Sequence, residues 1–226
     1  MKVTWYGHSA FGLEAADGTL IVTDPYDPEK SGFKPFPDAA DVVIKSSSND
    51  SYHDNDHLVP KKPGAAVIDA LELALGGGQV ETHGMTVRAI EAMEHDAHPS
   101  GHPDQNGMYR FDVDGIAFGH LGDMGNDLSE AQMAFFEGID VLFAHAGGYP
   151  VVSLEEVNRI VARVQPRLVI PMHFRTLCLR PQMMHFISAF VESFGEARTD
   201  FAAASTVELT PNSLPTETRA LVMAYI

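Results

Sequence analysis

The order of the predicted secondary-structure elements constrains the fold of this chain most strongly. In the first half, short β-forming runs pair through Asp-Gly turns at Asp17 and Asp114. In the second half, strands alternate with helices, two of which begin with capping boxes at Ser129 and Ser153. Hairpins followed by strand and helix alternation predict two sheets packed together beneath helices, which is an α/β fold.

The elements predicted from hydrophobic periodicity follow that order. Residues 66–73 fit either a strand or a helix, and we favour a strand. The last predicted helix is amphipathic and runs from Pro181 to about Glu196, with five side chains at core spacing: Met183, Met184, Phe186, Phe190 and Phe194. The predicted strands are residues 3–6, 10–15, 19–23, 42–44, 80–82, 85–90, 108–113, 116–120, 139–144, 167–172, 207–209 and 221–225.

Length and charge exclude several classes of protein. The chain has 226 residues, of which 45% are apolar, so we expect one domain over residues 1–226. Its 31 acidic and 15 basic residues give a net charge of -16, which disfavours nucleic acid and anionic membranes as partners. The only cysteine, Cys178, cannot form an intrachain disulfide. We expect a soluble, cytoplasmic protein that acts on a small molecule, with its oligomeric state left open.

Residues able to bind a metal follow predicted strands at three places. Asp123 lies in the glycine-flanked turn of residues 119–125, and His173 directly follows the strand 167–172. His95 and His98 follow the strand 85–90. Carboxylate and imidazole groups are common ligands of zinc. The three positions therefore point to one site where the strand ends converge.

These residues belong to motifs that resemble the metallo-β-lactamase superfamily, in its branch of lactonase-like and phosphodiesterase-like metal-dependent hydrolases. The resemblance covers nearly the whole chain. It implies a four-layer αββα sandwich with a metal site at one edge, between the sheets. The motifs are GHSAF at residues 7–11, Asp24-Pro25, HLGD at residues 120–123, Gly147-Gly148, and PMHFRT at residues 171–176.

The resemblance implies a role for each matching residue. Asp123 and His173 would bind metal, together with His95 from the central loop. His98 takes the place of His95 if the register of that loop slips. Asp24 would be a buried acid that anchors a loop. The implied cofactor is a divalent metal, zinc or else manganese or iron.

One motif of the family is degenerate in this chain. The family has His-x-His-x-Asp-His after the strand that corresponds to residues 42–44, where a gap-free alignment places Ser47, Asn49, Ser51 and Tyr52. A register shift of four residues would bring His53, Asn55 and Asp56 near the site instead. Two histidines and one aspartate remain, which suits a mononuclear zinc site with an open position. They equally suit a site that has lost its metal.

Other residues have predicted roles around this site. We expect His53 to lie near the cleft and to be catalytic together with Asp123. His8, Tyr52 and Arg175 are predicted to contact the substrate. Of the remaining histidines, we expect His120 to orient its turn. His145, at a strand end beside Gly147-Gly148, could face the cleft, but a partly buried histidine with satisfied hydrogen bonds is the commoner case. The last two are expected to serve surface or packing roles: His83 and His185.

Two functions are compatible with this sequence. The first is a metal-dependent hydrolase that uses a metal-activated water to cleave a small ester, lactone, amide or phosphodiester. The alternative is a non-catalytic family member with weak or absent metal affinity, whose cleft binds a small molecule or a partner. The charge of -16 disfavours a nuclease.

Overall fold

A computed structural model describes residues 1–48, 50–94, 105–181 and 183–225. Its strands form two sheets, one of six strands in the order β13-β1-β2-β3-β4-β5 and one of eight in the order β12-β14-β11-β10-β9-β8-β7-β6. In chain order the strands are β1 (Lys2–Gly7), β2 (Ala10–Glu14), β3 (Leu20–Thr23), β4 (Ala40–Lys45), β5 (Lys61–Asp69), β6 (Gln79–Thr82), β7 (Met85–Met93), β8 (Gln105–Val113), β9 (Ile116–His120), β10 (Val141–His145), β11 (Leu168–Met172), β12 (Thr199–Ala202), β13 (Thr206–Glu208) and β14 (Arg219–Met223).

The predicted hairpins are present. Strands β1, β2 and β3 pair antiparallel, as do β6 with β7 and β8 with β9. In the turn between β8 and β9, Asp114 has φ 51° and Gly115 has φ 75°. Two successive positive φ values match the twist of the strands that the turn joins, and Asp-Gly is a favoured pair there.

Parallel pairing brings several strand ends to one edge. In the first sheet β3, β4 and β5 are parallel, and in the second β9, β10, β11 and β14 are parallel. Their carboxyl ends, at which Asp24, Asp123 and His173 follow, therefore lie at the same edge of each sheet.

The core lies between the two sheets and beneath the helices. The ring centroids of Phe11 on β2 and Phe143 on β10 are 4.2 Å apart, and one apolar cluster contains buried residues from both sheets. This arrangement confirms the predicted sandwich. The helices are α1 (Pro28–Ser31), α2 (Ala70–Leu75), α3 (Glu130–Phe135), α4 (Leu154–Val164) and α5 (Ile187–Phe194), of which α3 and α4 begin with the predicted capping boxes.

Some observed elements differ from the predicted ones. For residues 66–73, where strand and helix were both possible and a strand was favoured, the structure has a strand only as far as Asp69. The side chain of Asp69 accepts a hydrogen bond from the backbone N–H of Glu72 and so caps the start of α2. A Cβ atom at Gly107 would lie 2.3 Å from the Ala70 backbone carbon, so α2 packs directly on β8. The sequence prediction also missed the edge strand β12.

The last helix begins at Ile187, so the predicted start at Pro181 is wrong. The preceding residues pair with other chain segments. The backbone N–H of His185 donates to Gly147 at 2.8 Å, and that of Arg175 donates to His185 at 2.9 Å. These bonds replace the helical ones. Met184, Phe190 and Phe194 are buried as predicted, whereas two predicted core residues are exposed: Met183 and Phe186.

None of the helices in the described part of the chain has the length and apolar character needed to span a bilayer.

Candidate metal centre

The candidate site lies between the sheets, where loops follow the strand ends. It contains His8 after β1, Asp24 after β3, His53 after β4, Asp123 after β9 and His173 after β11. All five side chains are buried. The sandwich thus brings together residues that are far apart in sequence.

Three of these residues have unusual backbone conformations. His8 has φ 52°, Asp24 has φ 36° and His173 has φ 53°. Positive φ is unfavourable for residues with a Cβ atom and persists only where surrounding contacts hold it. Backbone bonds supply such contacts, since His173 N donates to His8 O at 3.1 Å and Asp24 N donates to Ile44 O at 2.8 Å. Such strain is concentrated at functional sites.

Asp24 anchors the polar tract of residues 46–57, which follows β4, through a buried hydrogen-bond network. Its Oδ1 accepts from the hydroxyl of Tyr109 at 2.9 Å, and its Oδ2 accepts from Ser46 Oγ at 2.7 Å. The same Oδ2 lies 2.8 Å from His53 Nδ1. Burial acts to raise the pKa of Asp24, but His120 and His53 outweigh it and leave this pKa below its ordinary value. Asp24 is therefore ionised and orients His53.

Two imidazoles each approach the same carboxylate oxygen. Asp123 Oδ1 lies 3.1 Å from His173 Nε2 and 3.5 Å from His53 Nε2. Metal-to-ligand bonds of about 2.0–2.1 Å in tetrahedral geometry place neighbouring ligand atoms about 3.3 Å apart. His53, with Asp24 on its other ring nitrogen, also matches the carboxylate–histidine–metal arrangement of bound zinc.

Several buried polar atoms of the site have no hydrogen-bond partner among the described residues. Buried polar groups normally have partners. Ligand atoms of His8, His53 and His173 lie within 4.8 Å of one another, as do those of Asp50, His53 and Asp123. The donor set therefore fits a divalent cation. The atoms without partners include His53 Nε2, Asp123 Oδ1, His173 Nδ1, Asp50 Oδ2 and both ring nitrogens of His8 and His145.

Burial and neighbouring charges both perturb the pKa values of the site. Burial acts to lower the pKa of His53, but Asp123, Asp24 and Asp50 raise it to about 10. Burial acts to raise the pKa of Asp123, whereas His53 and His173 hold it well below its ordinary value. Burial and neighbouring imidazoles lower the pKa of His8 and His145. Burial, with the nearby Asp123, raises the pKa of Asp50.

These shifts predict how the stability of the metal-free protein depends on pH. The pKa of His53 is higher in the folded state, about 10, than in the unfolded state, about 6.5. Its contribution to stability is therefore complete below pH 6.5 and is lost as pH rises toward 10. The pKa values of His8 and His145 are lowered on folding, so their contribution is lost as pH falls below about 6.5.

We therefore expect the melting temperature of chelator-treated protein to peak near neutral pH and to fall on both sides. Calorimetry between pH 5 and about 9.5 measures this. The alkaline decline should be flatter in His53→Gln, which cannot hold the extra proton. An alkaline decline of the same slope in that variant would contradict the assignment to His53.

The central-loop prediction cannot be compared with the structure, because His95 and His98 lie outside the described residues. A cavity of about 400 Å³ opens at the site, lined by residues that include His53, Asp123 and His173. Tyr52 also lines this cavity, and its ring centroid is 5.4 Å from that of His8. Arg175 instead places its guanidinium carbon 4.6 Å from the centroid of the Phe186 ring and does not line the cavity. We therefore do not assign Arg175 to substrate binding.

The polar tract follows the predicted register shift only in part. His53 lies beside Asp123, which is the position we predicted. Asn55 does not reach the site, because its side-chain amide donates to the carbonyl of Ser51 at 2.8 Å. Asp56 is also away from it, since Lys61 and Lys45 are its ionic partners at 3.3 Å and 3.8 Å. Ionic and backbone contacts thus turn the tract away after His53.

Two residues of the site were not predicted as functional. Asp50 Oδ2 lies 3.8 Å from His53 Nε2. His145 is fully buried with its ring centroid 5.1 Å from that of His173, and its ring nitrogens have no partner among the described residues. The prediction that His145 is satisfied and partly buried is therefore wrong. Its position at the end of β10 was the available signal.

Other histidines behave as expected. His120 Nδ1 accepts a hydrogen bond from the backbone of Gly122 at 2.9 Å, and its Nε2 lies 3.0 Å from the carbonyl of Ser9. It therefore holds the turn before Asp123. His83 and His185 are exposed.

Asp24→Asn is expected to weaken metal affinity by about 10- to 100-fold, because an amide cannot supply the negative charge that orients His53. Titration of chelator-treated protein with zinc measures the affinity. The His53 imidazole should also titrate at lower pH in this variant, which NMR of its ring nitrogens reports. Unchanged affinity and unchanged titration would contradict the positioning role of Asp24.

The family follows from comparison with known proteins. The model of the beta-lactamase superfamily domain matches residues 2–173, so the chain belongs to the beta-lactamase superfamily. A UPF0173 metal-dependent hydrolase from Carboxydothermus hydrogenoformans is 26% identical over 194 residues, covering 78% of this chain and 85% of the relative. One from Pyrococcus furiosus is 27% identical over 195 residues, with the same two coverages.

Solved structures agree with this assignment. A metallo-beta-lactamase superfamily protein from Thermotoga maritima, described provisionally as a Zn-dependent hydrolase, is 29% identical. It superimposes with a TM-score of 0.74, covering 98% of this chain and 97% of that one. YhfI from Bacillus subtilis, at 12% identity and a TM-score of 0.59, shares the fold.

Proposed function

We propose that the protein is a metal-dependent hydrolase that uses one divalent ion to cleave a small ester, lactone, amide or phosphodiester. The observation that carries this proposal is the spacing of His53 Nε2, Asp123 Oδ1 and His173 Nε2, at 3.1 Å and 3.5 Å about the shared carboxylate oxygen. Relatives named metal-dependent hydrolases support the reaction class. Zinc is our first choice of metal, with manganese and iron as alternatives.

The proposed ligands are His53, Asp123 and His173. A divalent ion held by these residues would lower the pKa of a water molecule and would polarise the scissile bond. Asp24 holds the Nδ1 atom of His53 at 2.8 Å, so that the Nε2 atom faces Asp123 at 3.5 Å. In the ion-free protein His53 carries a proton, so this residue must release it before it can act as a ligand.

Asp50 is the proposed proton acceptor. It lies beside His53 and Asp123, and burial raises its pKa, which makes this carboxyl group a better base toward the attacking water. The same group then returns the proton to the leaving group. His8 and Tyr52, which line the cavity, are proposed to bind and orient the substrate.

Asp50→Asn is expected to lower kcat by about 10²- to 10⁴-fold while metal content stays unchanged, because the amide cannot accept a proton. Steady-state kinetics and metal analysis of the same preparation measure both quantities. Loss of metal in parallel with activity would contradict the assignment of Asp50 as a base and identify it as a ligand.

The reaction itself is tested by screening untagged protein against generic ester, lactone, amide and phosphodiester substrates with added zinc, manganese or iron. The proposal expects metal-dependent turnover that His173→Ala abolishes. Turnover that persists in that variant, or does not respond to metal, would contradict it.

A non-catalytic binding protein is the second candidate. The degenerate motif favours it, because Ser47, Ser51 and Tyr52 stand where the family has metal ligands. This candidate expects no metal-dependent turnover with any substrate in the same screen.

A further inference from the structure

The position of Asp123 Oδ1 depends on the backbone of its turn. This oxygen lies 3.1 Å from His173 Nε2 and 3.5 Å from His53 Nε2, yet it has no hydrogen-bond partner among the described residues. No hydrogen bond to Oδ1 therefore fixes this atom, and its position follows from the conformation of residues 120–123. The groups that hold this turn determine where the carboxylate lies.

The side-chain amide of Asn106 holds the turn at two points. Asn106 is fully buried and belongs to β8. Its Nδ2 donates to the carbonyl of Leu121 at 3.1 Å, and its Oδ1 accepts from the backbone N–H of Asp123 at 2.9 Å. An amide offers both a donor and an acceptor, so one side chain satisfies both backbone groups. Buried backbone groups are costly to leave unpaired, and this amide accordingly keeps the turn in one conformation.

Gly122 allows the amide to approach the turn. Its φ is 63°, in the left-handed region that favours glycine. A Cβ atom at this position would lie 2.3 Å from Asn106 Oδ1 and 2.7 Å from the Cβ atom of Ser46. The absence of a side chain therefore serves both the backbone conformation and the close contact.

Strand β8 also contacts the other half of the site. The backbone N–H of Gly107 donates to the carbonyl of Ser46 at 2.8 Å. Ser46 begins the polar tract, and its Oγ donates to Asp24 Oδ2 at 2.7 Å. The start of this strand thus contacts both the turn that carries Asp123 and the tract that carries His53.

We propose that Asn106 is a positioning residue of the metal centre, which acts through the turn of residues 120–123 to place Asp123 Oδ1 between His53 and His173. The inference rests on the proposed function, in which these three groups hold a divalent ion. Metal-to-ligand distances vary by only about 0.2 Å around their usual values, so a small displacement of the carboxylate weakens binding. Groups that orient metal ligands typically contribute about 10- to 100-fold in affinity.

Asn106→Ala and Gly122→Ala test this role in the whole chain. The first variant removes the amide, and the second introduces a methyl group against it. Thr199→Val is the control, because it removes a buried hydroxyl that donates to the carbonyl of Gly195 at 3.0 Å. That hydrogen bond lies at β12, the edge strand of the second sheet.

Two measurements separate positioning from a general loss of stability. NMR of the ring nitrogens of His53 and His173 in chelator-treated protein responds to movement of the carboxylate beside them. Zinc titration in competition with a chromophoric chelator measures metal affinity. We expect Asn106→Ala to alter both ring signals and to weaken zinc affinity by about 10- to 100-fold, and Thr199→Val to change neither.

The double variant shows whether the amide acts through the turn. Gly122→Ala alone should displace the amide of Asn106 and alter the same ring signals. In the Asn106→Ala background that contact is absent, so Gly122→Ala should reduce zinc affinity by a smaller factor than in the parent. Factors that multiply without coupling would contradict an action of the amide through this turn.

Parent-like ring signals and parent-like zinc affinity in folded Asn106→Ala would overturn the positioning role, as would equal losses in this variant and in Thr199→Val. If Asn106→Ala does not fold, unaltered ring signals in Gly122→Ala overturn it instead. A parent protein that binds no zinc would remove the hydrolase proposal. In that case altered ring signals in the metal-free variants would still support the placement of Asp123 by Asn106, and unaltered signals would overturn it.

Discussion

Asp123→Ala is expected to remove bound metal and to lower kcat/KM by a factor on the order of 10³, about 4 kcal/mol of transition-state stabilisation. Asp123 Oδ1 is the atom that lies within 3.5 Å of both His53 and His173. The variant lacks the anionic ligand and leaves the two imidazoles without their shared partner. Neither histidine alone offers the charge that a divalent cation requires.

Metal analysis and steady-state kinetics of untagged protein measure this prediction. Asp112→Ala is the matched control, because Asp112 is an exposed acid on β8 and should keep both metal and activity. A folded Asp123→Ala protein with the metal content of the parent would contradict the ligand assignment.

His53→Ala is expected to weaken metal affinity by about 100-fold or more, and His57→Ala to leave it unchanged. Both histidines lie in the same polar tract. His53 is fully buried beside Asp24 and Asp123, whereas His57 is exposed. Zinc titration in competition with a chromophoric chelator measures both affinities.

Unfolding experiments provide the control for this pair. Loss of the His53 ring removes the partner of a buried carboxylate and should destabilise the metal-free protein, so affinity must be compared at a temperature where both variants are folded. Equal affinities in the two folded variants would make His53 a structural residue.

The fold could be predicted from sequence because its signals are local. Asp-Gly turns at Asp17 and Asp114 fix hairpins through the backbone conformations they allow, and capping boxes at Ser129 and Ser153 fix helix starts through hydrogen bonds within four residues. Asp123 and His173 could be identified from local signals as well, because each lies at the end of a predicted strand. Parallel strands bring such residues to one edge whatever the rest of the chain does.

The remaining features depend on contacts between distant segments. The observed helix α5 begins at Ile187 rather than at the predicted Pro181, because His185 in the preceding segment forms backbone hydrogen bonds with Gly147 and Arg175. Hydrophobic periodicity does not reveal such contacts. The direction of Arg175 depends on Phe186. Asp50 becomes notable only through its position beside His53, since nothing in its own neighbourhood of the sequence separates it from a surface acid. For His145 the sequence signal was its position at the end of β10, and its place beside His173 depends on the fold.

The degenerate motif leaves the proposed ligand of this tract out of the family's register. The residues in the family's ligand positions, Ser47, Ser51 and Tyr52, are not zinc ligands. His53 reaches the site because Asp24 holds its Nδ1 atom at 2.8 Å. A loop of this composition tolerates an irregular backbone, so a functional residue can stand at a different sequence position in the loop without a change in the register of β4.

Metal stoichiometry of the untagged protein tests the central claim most directly. The protein is purified after expression with added zinc, manganese and iron, dialysed, and analysed for bound metal alongside Asp123→Ala. The ligand set of His53, Asp123 and His173 predicts about one divalent ion per chain and none in the variant. A parent protein that binds no metal under these conditions, or that binds as much as the variant does, would contradict the assignment of this site as a metal centre.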